Sequence, residues 1–237
     1  MAFKDLKKDS SIQNDSDNIP LAGGLFDTGI YSAIIDVAYM ITAPQKGTQG
    51  VVLHFKIGDR TFRNTQWICT ADGTYTWKSG DRSGYWPGFV IVDEICSIVT
   101  GQDLENLPEP ENKVLSIWNS QAKKEMPTEV PVMMNLQGGM LEVGIHRTME
   151  DHWIEEHKTK WVEKNELVKV FHTSGLTVNE KASSAVNSAT KIKWEMRYGN
   201  GLIDKRKASA GGEKYIREST TLAGGKVTEP SKSLFTE

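Results

Sequence analysis

The chain has 237 residues, 38% hydrophobic and 25% charged, with a formal net charge of −3. That composition excludes fibrous, low-complexity and wholly disordered classes and allows one domain with extensions or two small ones. No apolar run reaches the roughly 18 residues a membrane helix needs, since the best, 89–99, is interrupted by Asp93, Glu94 and Ser97. The start, MAFKDLKKDS, has positive charge but no apolar segment behind it, so no secretory signal is expected and the cytoplasm is the expected compartment.

In chain order, residues 1–24 are polar and end on Pro20 and Gly23-Gly24, the signature of an arm. Residues 29–41 carry enough β-branched and aromatic side chains to predict a strand. In 51–57, Val51, Leu53, Phe55 and Ile57 alternate with Val52, His54 and Lys56, the period of a half-buried strand. Gly58-Asp59 suits a type II′ turn, so 60–69 is expected to return antiparallel. Residues 70–88 combine turn chemistry with four large rings, Tyr75, Trp77, Tyr85 and Trp86. Residues 89–100 read as a helix with Val92, Ile95 and Val99 on one face and Gly101 as its stop.

Pro108 and Pro110 mark a loop, and the apolar piece 114–118 has no assignable type. Residues 132–136 and 140–148, joined by Gln137-Gly138-Gly139, are expected to form a second hairpin, and 165–172 a further strand. Thr177 and Glu180 form a capping box ahead of a helix reaching about Tyr198, with Val178, Ala182, Ala185, Val186, Ala189 and Ile192 as its apolar stripe. From Gly199 the composition shifts to Gly, Ala, Ser, Thr and Lys, which reads as a flexible basic tail. The expected division is an arm over 1–24, a main domain over 25–175, a helix over 176–198 and a tail over 199–237.

Cys69 and Cys96 are too few for a disulfide framework and lack zinc-ligand spacing, so reduced thiols are expected. His146, His152 and His157 stand among acidic residues without a metal-binding pattern, and the chain has none of the GxSxG, GxxxxGK[ST] or GxGxxG motifs. No metal, no cofactor and no catalysis are expected. Cys69 as a nucleophile is disfavoured because Trp67 and Ile68 place it on a strand near the core.

Charge is polarised. Residues 1–180 hold 17 basic and 25 acidic side chains, and 181–237 hold 11 and 6. Within the first part, 46–86 carry six basic against three acidic, and 87–156 four against thirteen. Seven of the twenty aromatic residues also fall in 46–86, interleaved with Lys56, Arg60, Arg63, Lys78 and Arg82. Rings that stack on bases and cations that follow phosphates are the ingredients of single-stranded nucleic-acid binding. With Val51, Leu53, Phe55 and Ile57 inward, His54 and Lys56 point outward, and one face of the partner strand carries Arg63, Thr65 and Trp67. Phe55 and Phe62 are assigned to the core. The expected nucleic-acid residues are His54, Lys56, Arg60, Arg63, Trp67, Tyr75, Trp77, Lys78, Arg82, Tyr85 and Trp86. The basic stretch at Lys205, Arg206 and Lys207 could add phosphate contacts, and Leu234 and Phe235 could dock a partner.

The order strand, hairpin, aromatic loop, single helix, further hairpin is that of an oligonucleotide-binding (OB) barrel, a five-stranded Greek key with a helix between strands three and four. Over about residues 25–172 the sequence resembles the bacteriophage single-stranded DNA-binding proteins of OB type. The resemblance rests on Gly29-Ile30-Tyr31, on 55–62, and on 68–73 leading into 84–88. It implies a mainly β protein that coats and protects transient single strands in phage replication, recombination and repair in the host cytoplasm, partnered by single-stranded DNA and by phage replication or recombination proteins. Where that class commonly ends in an acidic tail, this chain ends net basic. The competing expectation is a phage structural or assembly protein whose aromatic loop binds a protein partner.

Overall fold

The computed structural model describes residues 24–119, 122–155, 158–199 and 201–206. The protein is mainly β, with a large antiparallel sheet and few helices. Its organising strand is β1, Gly29–Thr42, which pairs along one side with β2, Gln49–Ile57, itself paired with β3, Arg60–Cys69. The β2–β3 hairpin forms as its turn chemistry predicts, with Gly58 at φ 57° and Asp59 outside the left-handed region, as a II′ turn needs.

A register shift between Ile35 and Val37 places a bulge at Asp36, and the bulge changes which face each side chain meets. Ala33 and Ile35 before it, and Ala38 after it, belong to the main core with Val51, Leu53 and Phe55. Tyr39, after the bulge, turns to the opposite face, where Val52, Val130 and Val132 join it in a second cluster. Strand β2 is therefore buried on both sides along most of its length, and Val52, expected outward, is 1% exposed.

The main core is closed by α1, Pro87–Thr100, whose Ile91, Val92, Ile95 and Cys96 are buried. Its first turn touches strand β3 directly. A Cβ added at Gly88 would lie 2.2 Å from the Trp67 carbonyl oxygen, so only glycine permits this approach. The helix ends at Gly101, whose left-handed conformation (φ 75°) directs its N–H to the Ser97 carbonyl.

Strand β4, Thr76–Ser79, and β5, Arg82–Tyr85, form a separate two-stranded ribbon. The untyped piece at 114–118 lies in β6, Glu111–Asn119, paired with β7, Lys124–Val132. The expected hairpin of 132–136 with 140–148 does not form. Instead β7 and β8, Met140–Glu155, run the same way along one edge of β1, with Val132 opposite Tyr39 and Met140 opposite Ile34. The 3-10 turn Met134–Leu136 carries the chain past the bulge. There Gly138 donates to the Ile35 carbonyl, Ile35 to that of Gly139 and Met133 to that of Ala38, while Leu136 plugs the core. A glycine pair that reads as a reversal acts here as a splice, because each flanking strand has a better partner than the other.

Strand β9, Lys158–Phe171, pairs with β8. No sheet among the described residues closes on itself: β3 and β9 approach through a side chain, Gln66 Nε2 donating to the Leu167 carbonyl at 3.0 Å. The expected C-terminal helix is two, α2 (Val178–Ala182) and α3 (Ala189–Tyr198), separated by a Ser-rich segment with Ser184 at φ 56°. Its expected apolar stripe is not buried, Val186 being 91% exposed; Trp194 is the buried residue of α3, stacked on His146. Glu180 serves both helices. It closes the capping box with Thr177 and also accepts from Ser188 Oγ and the Thr190 N–H, each at 2.8 Å. Within the segment expected as tail, Leu202–Asp204 forms β10 against β8; residues 207–237 lie outside the described residues, as do 1–23.

The described residues divide into two compact units, one comprising 24–148 and Glu163–Asp204, the other Met149–Val162 with Lys205 and Arg206. In the second, Lys205 N–H donates to the Met149 carbonyl and the Arg206 guanidinium lies 5.6 Å from the Trp161 ring.

Two outcomes follow from these contacts. Gly88→Ala, which in an ordinary helix position would stabilise by about 0.5–1 kcal/mol, is expected here to destabilise by about 1–3 kcal/mol, measured by thermal or denaturant unfolding. Glu180 is partly desolvated, which works against ionisation. The N–H groups of Thr177 and Thr190 and the Ser188 hydroxyl outweigh this and hold its carboxyl at about 2, against 4.5 unperturbed. A lowered carboxyl stabilises the fold above its unfolded value and loses that contribution as pH falls toward its folded value. The melting-temperature gap between parent and Glu180→Gln is therefore expected to shrink from about pH 5 to about pH 2.

Candidate nucleic-acid interface

The outer face of the β2–β3 hairpin carries the cross-strand pairs Lys56 with Thr61, His54 with Arg63, Val52 with Thr65 and Gly50 with Trp67. A Cβ at Gly50 would lie 2.8 Å from the Trp67 ring, so the missing side chain lets the indole lie against strand β2. The ring remains 40% exposed. Two residues along the same face, Arg63 is exposed and donates from Nη2 to the Tyr39 hydroxyl at 3.2 Å. Lys56 Nζ sits 2.6 Å from Asp36 Oδ1, both side chains well exposed, an ion pair that costs little to open.

His54 shares this face in a different state. It is half-buried beside Tyr39, and its Nε2 is buried without a hydrogen-bond partner. Burial first, and the Arg63 charge second, hold its imidazole below the ordinary value, so it is uncharged at neutral pH and supplies no positive charge to a phosphate there. Arg60 lies on the other face of β3, where its guanidinium covers the Phe26 ring at 3.7 Å and donates to the Gly24 carbonyl. The structure does not bring it together with Arg63.

The β4–β5 ribbon sorts its residues by parity. Trp77 opposes Gly84 and Ser79 opposes Arg82, so Trp77 and Arg82 share one face; Thr76 opposes Tyr85 and Lys78 opposes Ser83, so Lys78 and Tyr85 share the other. Trp77 repeats the arrangement of Trp67. A Cβ at Gly84 would be 3.2 Å from its ring, its Nε1 donates to the Tyr85 carbonyl at 3.1 Å, and it is 41% exposed. Trp86 is half-buried at the start of α1, its N–H donating to the Tyr75 carbonyl. Tyr75 stacks with both Phe89 and Tyr85, and the two tyrosines line a cavity with Asp93, Glu94, Asp103 and Glu105, an acidic environment apart from Arg63 and Arg82.

One ring that the sequence did not single out belongs to the outer face. Trp118 on β6, 48% exposed, lines a cavity of about 200 Å³ together with Tyr39, His54 and Arg63. Its signal was the alternation of Val114, Ser116 and Trp118 with Leu115 and Ile117, too short by itself to fix a partner strand. Cys96 is buried under α1; burial first and Asp93 second push its thiol up to about 12, which keeps it protonated at neutral pH. Among the described residues no three His, Cys, Asp or Glu side chains are placed to hold a metal ion.

Comparison with known proteins supplies no relative: no family model matches the chain, and neither a curated protein nor a solved structure matches it.

Proposed function

We propose that this chain binds single-stranded DNA with little sequence preference, coating transient strands in phage DNA replication, recombination and repair within the host cytoplasm. The observation that carries the reading is the pair of indoles, Trp67 and Trp77. Each rests on a glycine and stays about two-fifths exposed, and each has an arginine, Arg63 or Arg82, on its own strand face. An exposed ring held in place by backbone contact has already lost its rotamer freedom, so stacking a base on it costs little further ordering. Trp118 extends the platform beside Arg63, Lys56 and Trp86 are its secondary members, and Lys78 lies on the opposite ribbon face with Tyr85. Arg60 and His54 serve the fold, and Tyr75 and Tyr85 are withdrawn from DNA contact by the carboxylates around them.

The proposal includes kinship to the OB barrel. Supporting it are a long bulged first strand paired with β2 on one side and later strands on the other, one helix after the third core strand, and end strands bridged through Gln66. The competing reading, a phage assembly protein, draws on the acidic setting of Tyr75 and Tyr85 and predicts that single strands are not bound at any salt concentration.

A labelled oligo-dT strand, matched duplex and RNA of equal length, titrated at several salt concentrations, separate these readings. Single strands are expected to bind better than duplex, with affinity falling steeply as salt rises. Trp67→Ala and Trp77→Ala are each expected to cost about 1–3 kcal/mol of affinity while melting like the parent. Arg63→Ala and Arg82→Ala are expected to reduce the salt slope by about 0.7 each, the single-strand value per phosphate. Arg60→Ala is expected to leave the slope unchanged and lower the melting temperature. Folded indole variants that bind like the parent would end the proposal.

A further inference from the structure

The tyrosine face of the β4–β5 ribbon and the N-terminal half of α1 enclose a cavity of about 520 Å³, within the range of about 300–1,000 Å³ typical of ligand sites. One wall is aromatic: Tyr75 lies 4.5 Å from Phe89 at 12° between planes and 5.9 Å from Tyr85 at 28°. The other is anionic, with Asp93 and Glu94 from α1 and Asp103 and Glu105 from the loop after it. No lysine or arginine lines it.

These carboxylates are held in place with acceptor capacity to spare. Asp93 Oδ1 accepts from the Leu104 N–H at 2.8 Å and Asp103 Oδ1 from the Ser97 hydroxyl at 3.1 Å. The Glu105 carboxylate acts on the Tyr75 hydroxyl and raises its pKa above the ordinary value. Glu94 Oε1 takes Lys169 Nζ at 2.5 Å, whereas its Oε2 is buried with no hydrogen-bond partner. Phosphate is repelled by such a site, and a metal ion finds no three ligands close enough among the described residues. An ammonium or guanidinium group is attracted by both walls, through the ring faces and through the carboxylates. Three stacked rings and the adjoining exposed Val90 also offer apolar area that a lone small cation would leave uncovered.

We propose that this cavity receives a lysine- or arginine-bearing peptide segment of a partner protein, with its cation between the rings and the carboxylates and an apolar neighbour against Tyr85 and Val90. The site does not rest on the DNA-binding proposal: Tyr85 is on the ribbon face opposite Trp77 and Arg82.

The test is fluorescence anisotropy of the full chain with a fluorescein-labelled hexapeptide alternating arginine and leucine, beside a glutamate–leucine analogue. The basic peptide is expected to bind with salt-sensitive affinity and the acidic one not to bind. Asp103→Asn with Glu105→Gln, and separately Tyr85→Ala, are each expected to weaken binding about fivefold or more with the fold intact by thermal melt. Neutralising two carboxylates elsewhere, Glu129→Gln with Glu195→Gln, controls for general acidity and is expected to change little. Equal binding of the two peptides, equal loss in the control pair, or unchanged binding in both cavity variants would each overturn the site. An oligo-dT titration of the Asp103/Glu105 variant is expected to match the parent, so failure of DNA binding and failure of peptide binding are read separately.

Discussion

The bulge at Asp36 is the constraint from which the rest of the architecture follows. A regular strand with Ala33 and Ile35 facing the core would continue with Val37, Tyr39 and Ile41 on that same face and Ala38 on the other. One extra residue reverses this, sending Ala38 to the core beneath α1 and Tyr39 to the opposite side. Strand β1 thereby acquires two apolar faces and needs two covering layers. The second is the β6–β7 hairpin, anchored through Val130 and Val132 although β7 opposes β1 at Tyr39 only. Each such buried side chain contributes about 1.5–3 kcal/mol, so packing holds the hairpin where the ladder is short. The cavity that joins Trp118 to Arg63 exists because that hairpin must lie there.

Glycine has a second, less visible part in the design. At Gly50 and Gly84 the missing Cβ provides a seat for an indole, and at Gly88 it lets the helix reach the β3 backbone beside that same Trp67. All three positions act through close approach rather than through unusual backbone angles, since none has a left-handed φ. The helix start, the hairpin surface and the exposed ring are thus mechanically one assembly: Gly88 presses on the Trp67 carbonyl while Gly50 supports the Trp67 ring. A tryptophan clamped in this way keeps its orientation even though nearly half of it faces solvent.

Local signals were legible in the sequence to the extent that the decisive contacts were local. The period-two run at 51–57, the Gly58-Asp59 turn, the α1 stripe with its Gly101 stop and the Thr177–Glu180 capping box all depend on neighbours within a few residues. Pairing between distant segments was not legible. Nothing near Gly138 and Gly139 reveals that Met133 and Ile35 compete for the hydrogen bonds a hairpin would have used. Likewise the break between α2 and α3 is set by Glu180 reaching forward to Ser188 and Thr190, a contact that a search for apolar periodicity passes over. Among the candidate residues, the shared face of Trp67, Arg63 and Lys56 was legible from alternation in a known hairpin. The position of Arg60 was not legible, because its contact with Phe26, more than thirty positions away, leaves no local signal.

The same logic explains why the basic-aromatic composition of 46–86 resolves into two environments. In a ribbon of two four-residue strands, neighbours along the chain face opposite ways, so Trp77 and Lys78 are adjacent in sequence and apart in surroundings. Tyr85 falls on the parity that meets Phe89, and Phe89 belongs to a helix whose next turn carries Asp93 and Glu94. The acidic surplus of 87–156 therefore begins beside the aromatic loop rather than on a distant face. A count over a window averages the two environments; strand parity separates them, leaving Arg82 with one indole and the carboxylates with the tyrosines.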